Sequence, residues 1–267
     1  MEAAPSIYLA LARLEASNET AALCTVVHSQ GATPRHPGSK MLVYPDGSIL
    51  GSVGGGEMES RVIAEALLVL VEGQPRRLQY SLYEPERGDP GVCGGQMEVF
   101  VDPVLSKPTL VVVGCGHVGK AVARLGQWLG FWVAVNDDRA ELCSPESFPY
   151  ANAYYPIPLA ELPAQLKITN STFVVLTTRG VPVDVEGLPA LLDSPAAYIG
   201  VIGSQRRWTT TRKALLEKGL PAEKIDRVHS PMGLELNAET PEEIAVSILA
   251  EIIMLRNRGD GQPMRRT

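Results

Sequence analysis

The chain has 267 residues, 45% of them hydrophobic and 20% charged, with a net charge of −6. This is an ordinary globular balance with length for two domains, and its acidic sign argues against a surface built mainly to hold nucleic acid. No apolar run approaches the roughly 20 residues of a membrane span, and the start, Met1-Glu2-Ala3-Ala4-Pro5, lacks the basic segment and apolar core of a secretion signal, so no membrane contact and a cytoplasmic location are expected.

An amphipathic helix opens the chain, with Ile7, Leu11 and Leu14 on one face. Residues 21–28 read as a buried strand. The loop 31–40 follows, stiffened by Pro34 and Pro37 and bent by Gly31 and Gly38. Residues 41–49 read as a hairpin turning at Pro45-Asp46-Gly47. Gly54-Gly55-Gly56 then opens a helix striped by Val62, Ile63, Ala66, Leu67 and Leu70, and Gly73 stands where its C-cap belongs. Residues 77–83 and 96–101 read as strands on either side of a glycine-rich loop, 88–95.

Ser106-Lys107-Pro108 reads as a linker between domains at 1–105 and 109–260. Beyond it, strands and helices alternate, which predicts an α/β fold with a Rossmann-like, doubly wound parallel sheet. The strands are 110–113, 132–135, 173–176 and 198–202, with a weaker one near Val228. Helices are expected after the glycine turn 114–119, after Asp184, after Gly203 and after Thr240. Thr240, Pro241 and Glu243 carry the signature of a capping box with proline in the first helical position.

Five stretches carry residues suited to chemistry. The turn Gly114-Cys115-Gly116-His117-Val118-Gly119 lies between an apolar strand and a helix. Gly114 suits an unusual backbone angle, Gly116 a close approach to phosphate, and Gly119 the packing of helix on strand. The helix start offers N–H groups and partial positive charge to an anion. The next strand leads to Asp137, about where an acidic ribose ligand belongs. The turn therefore holds a phosphate, from NAD(P), another nucleotide or a different cofactor, or it is a scaffold of this type without one. His117 reads as a helix-start residue. Gly203 and Ser204, with Arg206 and Arg207 behind them, repeat the strand–glycine–helix pattern. Two arginines at a helix start either meet an anion or splay into water.

Arg35, His36 and Lys40 give the stiff loop 31–40 positive charge, as a phosphate or oxyanion contact requires, or as a solvated loop allows. Gly54, Gly55 and Gly56 expose N–H groups at a helix start, a second anion cradle. Glu57 and Glu59 complement that helix dipole, and Glu59 is expected to do only that. Of the widely spaced cysteines Cys24, Cys93, Cys115 and Cys143, none forms a C-x-x-C pair, so no zinc site or disulfide framework is suggested. Three read as small buried residues. Cys93, flanked by Gly94-Gly95, is a ligand for a soft metal, a sulfur acceptor or a structural residue. His28, His36, His117 and His229 fall in no recognisable catalytic setting, and no catalytic residue is assigned.

Together these loops resemble the XdhC/CoxI family, accessory proteins that mature molybdenum hydroxylases such as xanthine dehydrogenase. The resemblance runs through Gly31-Ala32-Thr33-Pro34-Arg35 with Gly38 and Met41, then Gly51-Ser52-Val53-Gly54-Gly55-Gly56-Glu57-Met58-Glu59, Cys93-Gly94-Gly95, the 114–119 turn and Asp137-Asp138-Arg139. It continues through Tyr198-Ile199-Gly200-Val201-Ile202-Gly203-Ser204, Pro231-Met232-Gly233-Leu234 and the run from Ala238 to Ile248. It implies a small N-terminal α/β domain before the Rossmann-like one, usually in a homodimer. It further implies a protein that binds the molybdenum cofactor (molybdopterin), supports its sulfuration with a cysteine desulfurase, and hands it to an apo molybdenum hydroxylase without turnover of its own. Two departures stand out. CoxI-type members often have cysteine where this chain has Glu57, and many members carry a histidine after strand 173–176, where this chain runs Thr177-Thr178-Arg179-Gly180. An NAD(P)-dependent oxidoreductase and a nucleotide-sensing regulator are the competing readings.

Overall fold

Burial alternates along residues 95–104 of the first half, whereas all five residues of 109–113 in the second half are buried. The first pattern belongs to an antiparallel sheet with unlike faces, the second to a parallel sheet covered on both. The computed structural model describes residues 6–82 and 94–265, and the chain divides into two units, Met1–Ser106 and Lys107–Thr267.

The first unit runs α1 (Ile7–Ser17), β1 (Ala21–Gly31), β2 (Lys40–Val43), β3 (Ile49–Gly51), α2 (Gly56–Glu72), β4 (Arg76–Ser81) and β5 (Gly95–Val104). Its antiparallel sheet has the order β3-β2-β1-β5-β4. Val62, Ala66 and Val69 of α2 pack on Cys24, Val26, Met97 and Val99, while α1 lays Ala10 and Leu14 against Ala21 and Leu42 of the other face. Each fully buried valine or leucine contributes about 1.5–3 kcal/mol. The stripe expected on α2 is present, and Gly73 ends the helix at φ 68°.

The second unit runs β6 (Thr109–Val113), α3 (His117–Trp128), β7 (Trp132–Asn136), β8 (Ala153–Tyr155), a 3-10 turn (Leu159–Glu161), α4 (Leu162–Gln165), β9 (Thr172–Leu176), α5 (Val181–Leu192), β10 (Tyr198–Val201), α6 (Gln205–Glu217), α7 (Ala222–Ile225), β11 (Val228–His229) and α8 (Pro241–Arg256). The parallel sheet has the order β11-β10-β9-β6-β7-β8, the doubly wound order of dinucleotide folds. Leu110 and Val112 face α3 and α8, and Val111 and Val113 face α5 and α6. The Thr240 capping box forms, with Thr240 Oγ1 accepting the Glu243 N–H at 3.2 Å and Glu243 accepting the Thr240 N–H at 3.0 Å. One expected helix start is shifted. The helix expected after Asp184 begins at Val181, because Gly180 supplies its N-cap and Pro182 fits its first turn. That puts Asp184 inside the helix. Among the described residues no helix is long and apolar enough to cross a membrane.

Candidate functional site

The glycine turn is shaped by what each position must avoid. Gly114 has φ 98°, and a Cβ there would lie 2.6 Å from the Thr177 carbonyl oxygen. A Cβ on Gly119 would lie 2.1 Å from the Gly114 oxygen. Both glycines are required by packing. Gly116 differs: its φ is −81°, it is exposed, and nothing lies within 4 Å of a Cβ built there. The open space beside Gly116 is what a phosphate needs. No side chain caps α3, and its first backbone bond runs from the Lys120 N–H to the Gly116 oxygen at 2.9 Å. The N–H groups of His117, Val118 and Gly119 are left to an outside acceptor. Thr177 steadies the turn from β9, donating its hydroxyl to the Gly114 oxygen at 2.8 Å.

Asp137 lies behind this turn, its side chain 2% exposed. One oxygen accepts the Cys115 N–H at 2.8 Å and Arg139 Nη2 at 2.8 Å, and the other accepts Arg139 Nε at 2.8 Å and the Arg139 N–H at 3.1 Å. Burial raises the Asp137 carboxyl, but Arg139 and the Cys115 N–H together hold it below its ordinary range. The carboxylate expected to meet a ribose is thus committed to the protein's own donors. Its neighbour Asp138 makes a two-pronged pair with Arg179 at 2.6 and 2.7 Å, which brings Asp138 down to about 2. These two ion pairs rim a narrow cleft walled on its apolar side by Val113, Leu159 and Val183.

Of the paired arginines on α6, Arg207 turns inward. It donates to Asp184 at 2.7 Å and to Thr178 Oγ1 at 2.7 Å, and the Thr178 hydroxyl also binds Asp184. Asp184 is fully buried. Arg206 is exposed. Ser204 caps the helix, accepting the Arg207 N–H at 3.3 Å, and Gly203, at φ 138°, leaves room for the Arg207 side chain.

In the first unit, three sequence motifs meet at one end of the sheet. Gly31 pairs with Gly95, a Cβ on Gly95 would strike the Ala32 oxygen at 2.4 Å, and a Cβ on Gly54 would lie 2.9 Å from Pro34. Loop 31–40, the glycine triplet and Gly94-Gly95 are therefore neighbours. The triplet's cradle is filled by the protein itself: Glu59 Oε2 accepts the Ser52 hydroxyl at 2.6 Å, the Val53 N–H at 3.1 Å and the Gly55 N–H at 3.2 Å. Gly55 and Gly56 nevertheless face open space. Glu57 is exposed and pairs with Arg61 at 2.6 Å. Arg35 and His36 are exposed, and Lys40 Nζ donates to the Gly38 oxygen at 3.2 Å. Cys93 lies outside the described residues.

Residues 110–252 match the XdhC Rossmann domain, and residues 14–81 match the XdhC and CoxI family. The chain belongs to this family. It is 38% identical over 263 residues to the uncharacterized protein YqeB of Escherichia coli K12, a match covering 98% of this chain and 48% of YqeB. It is 32% identical over 160 residues to a probable xanthine dehydrogenase component of Bacillus subtilis 168, covering 60% of this chain and 46% of that one. It is 26% identical over 269 residues to the molybdenum cofactor insertion chaperone PaoD of Escherichia coli K12, covering 90% of this chain and 85% of PaoD. The chain thus spans about half the length of the first two relatives. In fold it resembles a xanthine dehydrogenase from Bacillus halodurans, with a TM-score of 0.51 and 24% identity, over 97% of this chain and 98% of that one.

Sequence reasoning gave no pairing role to Arg139, Thr178, Arg179 or Asp184, and Arg207, expected either to meet an anion or to splay into water, meets the buried carboxylate of Asp184. One signal was available. Asp184 stands three, four and seven positions before Gly187, Leu188 and Leu191, on the buried face of α5, and a fully buried carboxylate requires a partner. Arg179 lies in the histidine-free stretch 177–184 after β9, and its pairing with Asp138 sits at the cleft.

Proposed function

We propose that this chain binds the molybdenum cofactor and delivers it to an apo molybdenum hydroxylase of the xanthine dehydrogenase type, as an accessory protein and not as an enzyme with turnover of its own. The observation that carries the reading is the open position at Gly116 in front of an uncapped helix start. Family membership and likeness to a named insertion chaperone support it. Molybdopterin ends in a phosphate, which suits Gly114, Gly116 and Gly119 with the N–H groups from His117 onward. When bound, the cofactor supplies the molybdenum centre on which the hydroxylase depends.

In the first unit, Arg35 and Lys40 give a separate anion contact beside the open backbone of Gly55 and Gly56 and the adjacent Glu57. Gly203, Ser204 and Arg206 form a secondary anion contact in the Rossmann unit. Cys93 is the sulfur-bearing group, as molybdenum ligand or sulfur acceptor, in exchange with a cysteine desulfurase. The protein works as a cytoplasmic homodimer.

The test is reconstitution of a purified apo-hydroxylase with cofactor, with and without the chain. Stimulation by the natural protein is expected. Its loss is expected in Gly116→Val, and a drop of about ten- to a hundred-fold in cofactor affinity in Arg35→Ala. Cys93→Ser, folded, is expected to lose stimulation. A second reading, an oxidoreductase using NAD(P), is favoured by the sheet order, since folds of this order bind dinucleotides outside the carboxyl ends of their strands, where the cleft beside the Asp138–Arg179 pair lies. Saturable NAD binding with turnover of a small substrate, and no stimulation of the hydroxylase, would replace the first reading with the second.

A further inference from the structure

On the outer side of the Rossmann unit an apolar groove stands open. Ala121, Leu125 and Trp128, each about one helical turn from the next, give it a wall from α3, and Ala245 and Val246 give it a wall from α8. Tyr150, in the segment after β7, also lines it, with the Arg124 guanidinium of α3 over its ring at 5.6 Å. Trp128 is 77% exposed, Val246 49% and Tyr150 44%. Large apolar side chains scattered singly over a surface need no explanation, but these three meet in one groove with charges at its edges, the makeup of a protein contact. Trp128 is the last residue of α3, roughly 16 Å along the axis from the helix start at the glycine turn, so a contact centred there leaves the turn accessible.

We propose that this groove is the contact surface between two copies of the chain, paired about a two-fold axis that runs along it. The inference rests on the homodimer proposed above and gives that dimer its surface. The charges select this occupant. Arg124 stands on the α3 wall and Glu242 on the α8 wall, and neither forms an ion pair among the described residues. A two-fold contact sets the same patch of both copies face to face. With the axis along the groove, the α3 wall of one copy meets the α8 wall of the other, and each Arg124 faces a Glu242. An axis across the groove sets like against like, Arg124 on Arg124 and Glu242 on Glu242. A partner carrying a single sign of charge attracts one wall and repels the other. Because α3 runs along the groove, the lengthwise axis keeps the two copies of that helix parallel. Both glycine turns then open at the same end of the pair.

The experiment measures the mass of the full chain by light scattering across micromolar concentrations, with thermal melts to establish that each variant is folded. A dimer is expected. Trp128→Glu, or Val246→Glu if the first variant misfolds, places a charge inside the contact and is expected to raise the dissociation constant by at least about thirty-fold, as loss of a central anchor does. Arg124→Glu and Glu242→Arg, each alone, set like charges on facing walls and are expected to dissociate at concentrations where the natural chain is paired. Mixing these two variants in equal amounts is expected to restore a dimer with one copy of each, because both facing pairs are again opposite in sign. A folded Trp128→Glu variant that dimerises as tightly as the natural chain overturns the surface and leaves the homodimer standing. A mixture that stays monomeric overturns the two-fold pairing. A monomeric natural chain overturns the surface and the homodimer together, and a different protein seated in the groove of that monomer replaces the second copy as its occupant.

Discussion

The carboxylate of Asp137, just beyond the end of β7, accepts the N–H of Cys115 in the glycine turn at 2.8 Å. The strand next to β6 thereby fixes the direction in which the turn leaves the sheet. Removing that acceptor strands a buried N–H and frees Arg139, so Asp137→Ala should cost about 1.5–3 kcal/mol. Urea unfolding followed by a signal from the Rossmann unit measures it. A cost under about 0.5 kcal/mol, the ordinary range for a surface substitution, would show that the turn stands without this bond.

Gly116 and Gly119 should respond oppositely to substitution. Gly116→Val places a side chain in open space and is expected to leave the melting temperature nearly unchanged while abolishing binding of a phosphate-bearing ligand. Gly119→Ala drives a Cβ to 2.1 Å from the Gly114 oxygen, so it is expected to destabilise the fold itself, by about 1–3 kcal/mol for an overpacked site. Calorimetric titration paired with thermal melts separates the two. Unchanged affinity in a folded Gly116→Val variant would remove the turn from the binding site.

Arg207 is the partner that makes a fully buried Asp184 tolerable. Arg207→Ala leaves that charge with Thr178 alone and should destabilise the Rossmann unit by about 3–5 kcal/mol. Arg206→Ala, an exposed change on the same turn of α6, should stay within about 0.5 kcal/mol. Equal effects of the two variants in denaturant titrations would contradict the division of roles drawn from their hydrogen bonds.

Glu59 occupies the cradle at the start of α2. Glu59→Ala should speed amide exchange at Val53 and Gly55, which lose their acceptor, and cost about 1–3 kcal/mol in the first unit. Exchange that stays as slow as in the natural chain would mean that water or another group serves these donors equally well.

Acid should weaken the fold through a small set of carboxylates. Asp137 sits below its ordinary 3.8 despite burial. Glu251, raised by burial, is brought below its ordinary 4.5 by His229, Tyr198 and the Gly233 N–H. A carboxyl depressed in the folded state contributes stability that is present above its unfolded value and lost as pH falls through its folded value. Stability from these groups is therefore expected to hold above about pH 4.5 and to decline below about pH 4. Denaturant midpoints taken from pH 7 to pH 3 test this, and Asp137→Ala should flatten the decline.

Local rules made much of this legible in advance. Strand–helix alternation after residue 108, the glycine turn, the Thr240 cap and Gly73 each depend on residues within a few positions of one another. The short strand Ala153–Tyr155 and the turn at Leu159–Glu161 escaped notice because they form by pairing with β7 and packing under α5, with no period of their own. The partners at the cleft escaped for a related reason. Asp138 and Arg179, or Asp184 and Arg207, lie far apart along the chain, and only the crossover between β7 and β10 brings each pair together. Glu59 was expected to serve the helix dipole, and it does sit at that helix start, but its three specific donors depend on how the chain folds back from Ser52.

The different demands on the three glycines have an evolutionary consequence. Gly114 and Gly119 are imposed by the architecture, so a related chain would retain them whether or not its turn binds a ligand. Gly116 is under no such obligation. A lineage that no longer carries a ligand here is free to drift at this one position, and a bulky residue at the place of Gly116 in a related sequence would mark a protein that has kept the scaffold and changed its trade.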